Sequence, residues 1–267
     1  MGREFLYKGE QKESGMVKAL LLIPLFVSCA WGEQVSSQYK RERIKYQFLM
    51  NEVSGTDAID TSTHNIPATS LGTGNAIVIG KHGYAKSMNG SGCLQISSTA
   101  SARAPDNIYR NFTIEVSFRY RTNTVPRANI IGQSGSGGDS WWIAVNASKL
   151  HIDWDGNPDD AIADQISIPI QSGTWYQAIY TRKAGELKKG YLNGVLVSSS
   201  ATGSSQLNLD QDINIGCGNN GTVVLLDGDV DEVTIWDEEF TEAEVKELFN
   251  TWSGKQRRSF SPFQYYP

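Results

Sequence analysis

The chain is predicted to be an all-β protein, a two-sheet antiparallel β-sandwich closed by one short C-terminal helix. Three observations predict this. Short segments alternate apolar and polar residues at the period of a half-buried strand. Turns rich in Gly, Ser and Asn separate them. No segment before the last carries convincing helical spacing. Many short strands in one continuous domain are satisfied by two packed sheets.

The elements follow in order. Residues 33–45 are polar and charged and are expected to form a linker or N-terminal arm, with the domain over 46–252. Phe112, Ile114, Val116, Phe118 and Tyr120 alternate with Thr113, Glu115, Ser117 and Arg119, so the first set is expected to face a core. Trp141–Asn146 and Lys149–Trp154 read as a hairpin. Pairing Val145 with Leu150 puts Trp141, Ile143, Leu150, Ile152 and Trp154 on the core face. Trp142, His151 and Asp153 then share the opposite face. Trp175–Arg182 and Gly190–Leu192 continue the series, and Asn193-Gly194 is a tight-turn signal into Val195–Val197. Further strands are expected at Ile213–Ile215, Val223–Leu226 and Val230–Trp236, the last with Asp231, Val233 and Ile235 on one face. Thr241 and Glu244 form a capping box, and Phe240 and Val245 stand where a hydrophobic staple stands, so a helix starts there. The tail 253–267 is basic, then aromatic.

Ala19–Val27 is uncharged and apolar behind Lys18, too short to span a bilayer. It fits the core of a secretory signal, with Ala30-Trp31-Gly32 as the cleavage site, so residues 1–32 are assigned to a signal region. Met16 makes a tidier start than Met1. Phe26-Val27-Ser28-Cys29 is weakly similar to a bacterial lipoprotein acylation box, which makes Cys29 a candidate lipid-attachment residue and the one route to a membrane. Cys93 and Cys217 remain in the domain. Export permits a disulfide between them; two separate buried thiols is the alternative.

Lys and Arg number 24 against 29 Asp and Glu, for a net charge of −5, so no general attraction to nucleic acid is expected. Gly83–Gly90, Phe112–Tyr120, Gly173–Ala178, Tyr191–Gly194, Asn214–Gly216 and Leu226–Phe249 occur in the order of the laminin-G-like, concanavalin A-like jelly-roll family, which the chain resembles over most of residues 46–250. The resemblance implies a jelly-roll sandwich. It does not imply a single function, because the fold hosts lectin-like modules, adhesive domains and glycan enzymes.

Glycan cleavage needs two close carboxylates. Laminarinase-type members of the family carry E-x-D-x-x-E on a strand, and this chain has no E-x-D. Asp229, Asp231 and Glu232 come nearest with the wrong spacing, and no catalytic residue is assigned. Gly216–Gly221 matches G-x-G-x-x-G, but β-prone residues follow where a dinucleotide motif needs a helix. His64, His82 and His151 show no metal-ligand spacing with the cysteines. Asp153, Asp155, Asn157, Asp159 and Asp160 supply the oxygen ligands that calcium prefers, or form a solvated acidic loop. Family members often hold one structural calcium, and on that comparison Asp231 joins the candidates; its other reading is a structural anchor. A Trp beside an imidazole and a carboxylate suits a sugar ring, so Trp142, His151 and Asp153 are the candidate ligand-binding residues. Asn89, Asn111, Asn146 and Asn220 begin formal glycosylation sequons.

The sequence therefore points to an exported, non-catalytic binding module for carbohydrate or a cell-surface partner, secreted or in the cell envelope. The alternatives are a structural or adhesive component of a surface assembly and, further off, a glycan-cleaving enzyme.

Overall fold

A computed structural model describes residues 41–97, 108–109, 111–122, 127–133, 141–154, 166–183, 186–200, 207–208, 212–218 and 225–254. The chain divides into two compact units, 1–39 and 40–267, and every described residue belongs to the second. The signal region with Met16 and Cys29, and the tail beyond Gly254, lie outside the described residues.

The strands are, in chain order, β1 (Ile44–Phe48), β2 (Thr69–Gly72), β3 (Ala76–Ile79), β4 (Tyr84–Asn89), β5 (Gly92–Ile96), β6 (Ile108–Tyr109), β7 (Phe112–Thr122), β8 (Ala128–Gln133) and β9 (Trp141–Asn146). They continue with β10 (Lys149–Trp154), β11 (Ile166–Pro169), β12 (Tyr176–Arg182), β13 (Lys188–Leu192), β14 (Val195–Ser200), β15 (Leu207–Asn208), β16 (Ile213–Ile215) and β17 (Asp227–Trp236). Helix α1 (Glu242–Gly254) follows. The 8-stranded sheet runs β14-β13-β12-β7-β17-β4-β3, with β1 also paired to β17. The 7-stranded sheet runs β11-β10-β9-β8-β16-β5-β2, and β15 pairs with β6 apart from both. Every described pairing is antiparallel, as a sandwich requires.

Phe112, Ile114, Val116 and Phe118 of β7 share one core with Leu94, Ile96, Trp141, Ile143 and Leu150 of the smaller sheet, so the alternation expected of both segments holds. Asn193 and Gly194 both have positive φ, 51° and 74°, as the tight turn between β13 and β14 demands. The strand expected at Val223–Leu226 is not found in its described part: β17 begins at Asp227, and residues 223–224 are outside the described set. β1 begins at Ile44, within the segment expected to be an arm.

The cap of α1 closes as expected. Thr241 N–H donates to Glu244 Oε2 at 2.8 Å, and Glu244 N–H donates to Thr241 Oγ1 at 3.3 Å. The helix lies on the outer face of the larger sheet. There Phe240 and Val245 join Ile44, Ile179, Tyr191 and Trp236 in a second apolar cluster. Each such side chain contributes about 1.5–3 kcal/mol of burial. The nominally outward residues of β7 are consequently buried: Thr113 and Ser117 have no exposure and Glu115 has 6%.

Two further findings bear on function. Cys93 and Cys217 form a disulfide, with Cα atoms 5.7 Å apart, which settles the choice between a bridge and separate thiols. The expected grouping of Asp231 with Val233 and Ile235 is wrong. A β-bulge at Glu232, whose φ is 48°, inserts one residue between the pairs Asp231–Ser117 and Val233–Val116. The alternation is reset there, so Val230 and Val233 both enter the core while Asp231 turns to the outer face with Ser117.

Candidate functional site

The β9–β10 hairpin has the register Val145 opposite Leu150. Its two-residue turn, Ala147-Ser148, has φ of 47° and 59°. This register sets Trp142 opposite Asp153 and Ala144 opposite His151, with Trp142 and His151 on the face away from the core. The next strand, β8, offers Gly132 opposite Trp142. A Cβ at Gly132 would sit 2.8 Å from Trp142 Cβ, so glycine allows the indole its place over β8. The side chain of Asp153 is outside what the structure describes.

Trp142 is not an open platform. It is 6% exposed, and the Arg127 guanidinium carbon lies 4.1 Å from its ring centroid. A sugar stacking on that ring face must displace Arg127 or replace its contact. Farther along β8, Asn129 is buried; among the described residues its Oδ1 has no hydrogen-bond partner, and its Nδ2 reaches the Cys217 carbonyl only at 3.5 Å. Gln95 Nε2 donates to Asn214 Oδ1 at 3.1 Å on the same face. Asn214 pairs with Gly132, so Gln95 and Asn214 continue the cross-strand row of Gly132 and Trp142, while Asn129 stands beside Cys217. Sequence reasoning missed Arg127 and Asn129, because neither belongs to the hairpin that supplied the other residues.

The calcium candidates divide. Asp155, Asn157, Asp159 and Asp160 lie outside the described residues. Asp231 belongs to the larger sheet, whereas Asp153 belongs to the smaller. Asp231 Oδ2 accepts the His82 backbone N–H at 2.9 Å, the anchoring role weighed against a metal for this residue. Among the described residues, no group of three or more His, Cys, Asp or Glu side chains is placed to hold a metal ion.

Asp227 and Asp229 of β17 are engaged by arginines that no motif marked. Arg119 donates through Nε and Nη2 to Asp229 Oδ2 at 2.8 and 2.6 Å. Arg121 Nε donates to Asp227 Oδ1 at 2.9 Å, and its Nη1 binds Asp229 Oδ1. Partial burial works against the Arg121 charge, but the hydrogen bond and attraction of Asp229, then Asp227, outweigh it and leave the guanidinium above its ordinary value. A buried carboxylate with a guanidinium on each oxygen is a structural ion pair, a poor arrangement for a nucleophile or general acid. Two alternating Arg residues and two alternating Asp residues were visible in the sequence. Their pairing across about a hundred residues was not.

Comparison with known proteins agrees with this architecture. No curated protein matches the chain by sequence. Domain 4 of AbnA, a GH43 extracellular arabinanase from Geobacillus stearothermophilus in complex with arabinotriose, is 17% identical with a TM-score of 0.57, over 77% of this chain and 98% of that one. The binding domain of botulinum neurotoxin serotype D/C is 16% identical with a TM-score of 0.61, over 79% of this chain and 53% of that one. The binding domain of Paraclostridial Mosquitocidal Protein 1 is 18% identical with a TM-score of 0.58, over 80% of this chain and 53% of that one. This chain therefore spans about half the length of both toxin chains. At these identities the likeness establishes the fold. A family model described as concanavalin A-like lectin/glucanases superfamily matches residues 89–246, more than half of the sequence, and the chain belongs to that superfamily.

Proposed function

We propose that this chain is an exported, non-catalytic binding module that recognises carbohydrate or a cell-surface partner. The outward face of the smaller sheet around Trp142, His151 and Asp153 is its binding face. The observation that carries this reading is the hairpin register, Val145 opposite Leu150, which supports a shared face for these residues. Arg127 over Trp142 and the unpartnered Asn129 Oδ1 add polar groups suited to hydroxyl recognition. The solved neighbours named as an arabinotriose complex and as toxin binding domains are in keeping with it. The engaged state of Asp227, Asp229 and Asp231 supports a non-catalytic role. The disulfide and the apolar segment Ala19–Val27 support export, to the medium or the cell envelope.

A glycan array tests the reading. The chain is expected to bind a defined set of saccharides, and Trp142→Ala to lose that set while folding normally. A variant that keeps every interaction of the parent removes this face from the proposal. Calcium, as a structural ion at Asp153, Asp155, Asn157, Asp159 and Asp160, belongs to the same proposal. Its check is a thermal melt with and without calcium, where an unchanged melting temperature ends it.

One observation favours the structural or adhesive alternative. β14 is an edge strand of the larger sheet and exposes Val195, Leu196 and Val197, at 63%, 38% and 36%. Edge strands are usually blunted by charge or Pro, and Val195–Ser200 has neither. Concentration-dependent self-association abolished by Val197→Lys would favour that alternative.

A further inference from the structure

We propose a second binding site, for a carboxylate-bearing saccharide, on the part of the larger sheet's outer face that helix α1 leaves open, with Arg119 and Trp175 as its contact residues. The proposal rests on the reading of the chain as a carbohydrate-binding module. It assigns a different face and a ligand class.

Helix α1 runs along β7. Its start is fixed where the Phe240 N–H donates to Thr113 Oγ1 at 2.9 Å, and its last turn where Trp252 Nε1 donates to Ser117 Oγ at 2.6 Å. Arg119 and Arg121 follow on the same face of β7, past the helix end. The exposure changes there. Ser117 and Gln177 have none, whereas the side chains of Arg119 and Arg121 are 31% and 37% exposed. The sheet thus carries a polar shelf that its own helix leaves open.

The shelf is built. Tyr176 pairs with Phe118, so Trp175 falls beside Arg119, whose guanidinium carbon lies 5.0 Å from the indole centroid. Asp229, fully buried, pins two of the three guanidinium nitrogens from below. Arg121 already engages both Asp229 and Asp227, so Arg119 exceeds what the buried acid needs. Among the described residues, neither Arg119 Nη1 nor the Trp175 indole N–H has an acceptor. Every oxygen of the two acids already accepts: Asp227 from Arg121 and Thr122, and Asp229 from Arg119 and Arg121.

That inventory selects the ligand. The groups left over are N–H donors, on a guanidinium already immobilised by stacking and ion pairing. A neutral sugar hydroxyl also needs an acceptor for its own hydrogen, and the shelf offers none unengaged. A uronate carboxylate is acceptor-only and takes charge-assisted bonds from such donors. Lys81, whose Nζ lies 4.6 Å from the Trp252 ring centroid at the helix end, adds a positive charge at the border of the shelf.

Affinity electrophoresis of the full chain, with calcium chelated, through gels containing polygalacturonate, neutral arabinan or no polymer tests this. Polygalacturonate is expected to retard the chain, and Arg119→Lys, which keeps the charge on Asp229 but loses the fork, to weaken that retardation about tenfold. Trp175→Ala is the second variant, with melting curves recorded for both; where it fails to fold, Arg119→Lys decides. Retardation by arabinan alone overturns the uronate site and leaves the module reading standing. Retardation by polygalacturonate that survives both variants also overturns the site. Retardation by neither polymer overturns the uronate site, and a blank glycan array would then overturn the module reading separately.

Discussion

Trp252 donates its indole N–H to Ser117 Oγ at 2.6 Å, tying the last turn of the C-terminal helix to the middle of a central strand 135 residues earlier. The helix is therefore part of the sandwich and not an appendage. Trp252→Phe keeps most of the ring burial and leaves the Ser117 hydroxyl without this donor. It is expected to cost about 1–2 kcal/mol in urea unfolding, with Ser117→Ala partly restoring additivity in a double-mutant cycle.

The disulfide closes a loop with a sequence separation of 124 between β5 and Cys217, two residues past β16. Reduction, or Cys93→Ala with Cys217→Ala, is expected to cost roughly 2–5 kcal/mol. Denaturant midpoints with and without reductant measure it. The double variant should be indifferent to reductant.

Gly194 stands at φ 74°, and a Cβ there would meet Phe249 Cβ at 2.6 Å. Gly194→Ala combines left-handed strain with a collision against the helix and is expected to lose about 1–3 kcal/mol. A Phe249→Ala background removes the ring contacts at 2.8 and 2.9 Å but keeps the Cβ contact, so thermal melting should show only part of the loss recovered.

Stability is expected to fall at alkaline pH. Burial raises the Tyr191 phenol above its ordinary 10.0, and the hydrogen bond that Lys189 donates to Glu239 raises Lys189 above its ordinary 10.5. Both groups hold their protons longer folded than unfolded. Their contributions are complete below those ordinary values and disappear as pH rises through the raised ones. Unfolding curves at pH 8, 10 and 11 should show a decline that Tyr191→Phe makes shallower.

Local signals carried far. The alternation of Phe112–Tyr120, the hairpin register at Val145–Leu150, the Asn193-Gly194 turn and the Thr241–Glu244 cap were all legible in the sequence, because each depends on residues within a few positions of one another. The bulge at Glu232 was not legible. A non-glycine residue in the left-handed region leaves little composition signal, and one inserted residue moved Asp231 from the inner to the outer face.

By itself the sequence determined the fold class, the superfamily resemblance and the Val145–Leu150 register of the hairpin. Tertiary structure alone decided that Arg127 lies over Trp142, that Cys93 meets Cys217, and that Arg119 and Arg121 meet Asp229 and Asp227. It also decided that the helix covers Ser117 and stops short of Arg119. The reason is range. Strand period and turn chemistry are set by neighbouring residues, whereas burial and ion pairing are set by whichever distant strand or helix closes over a side chain.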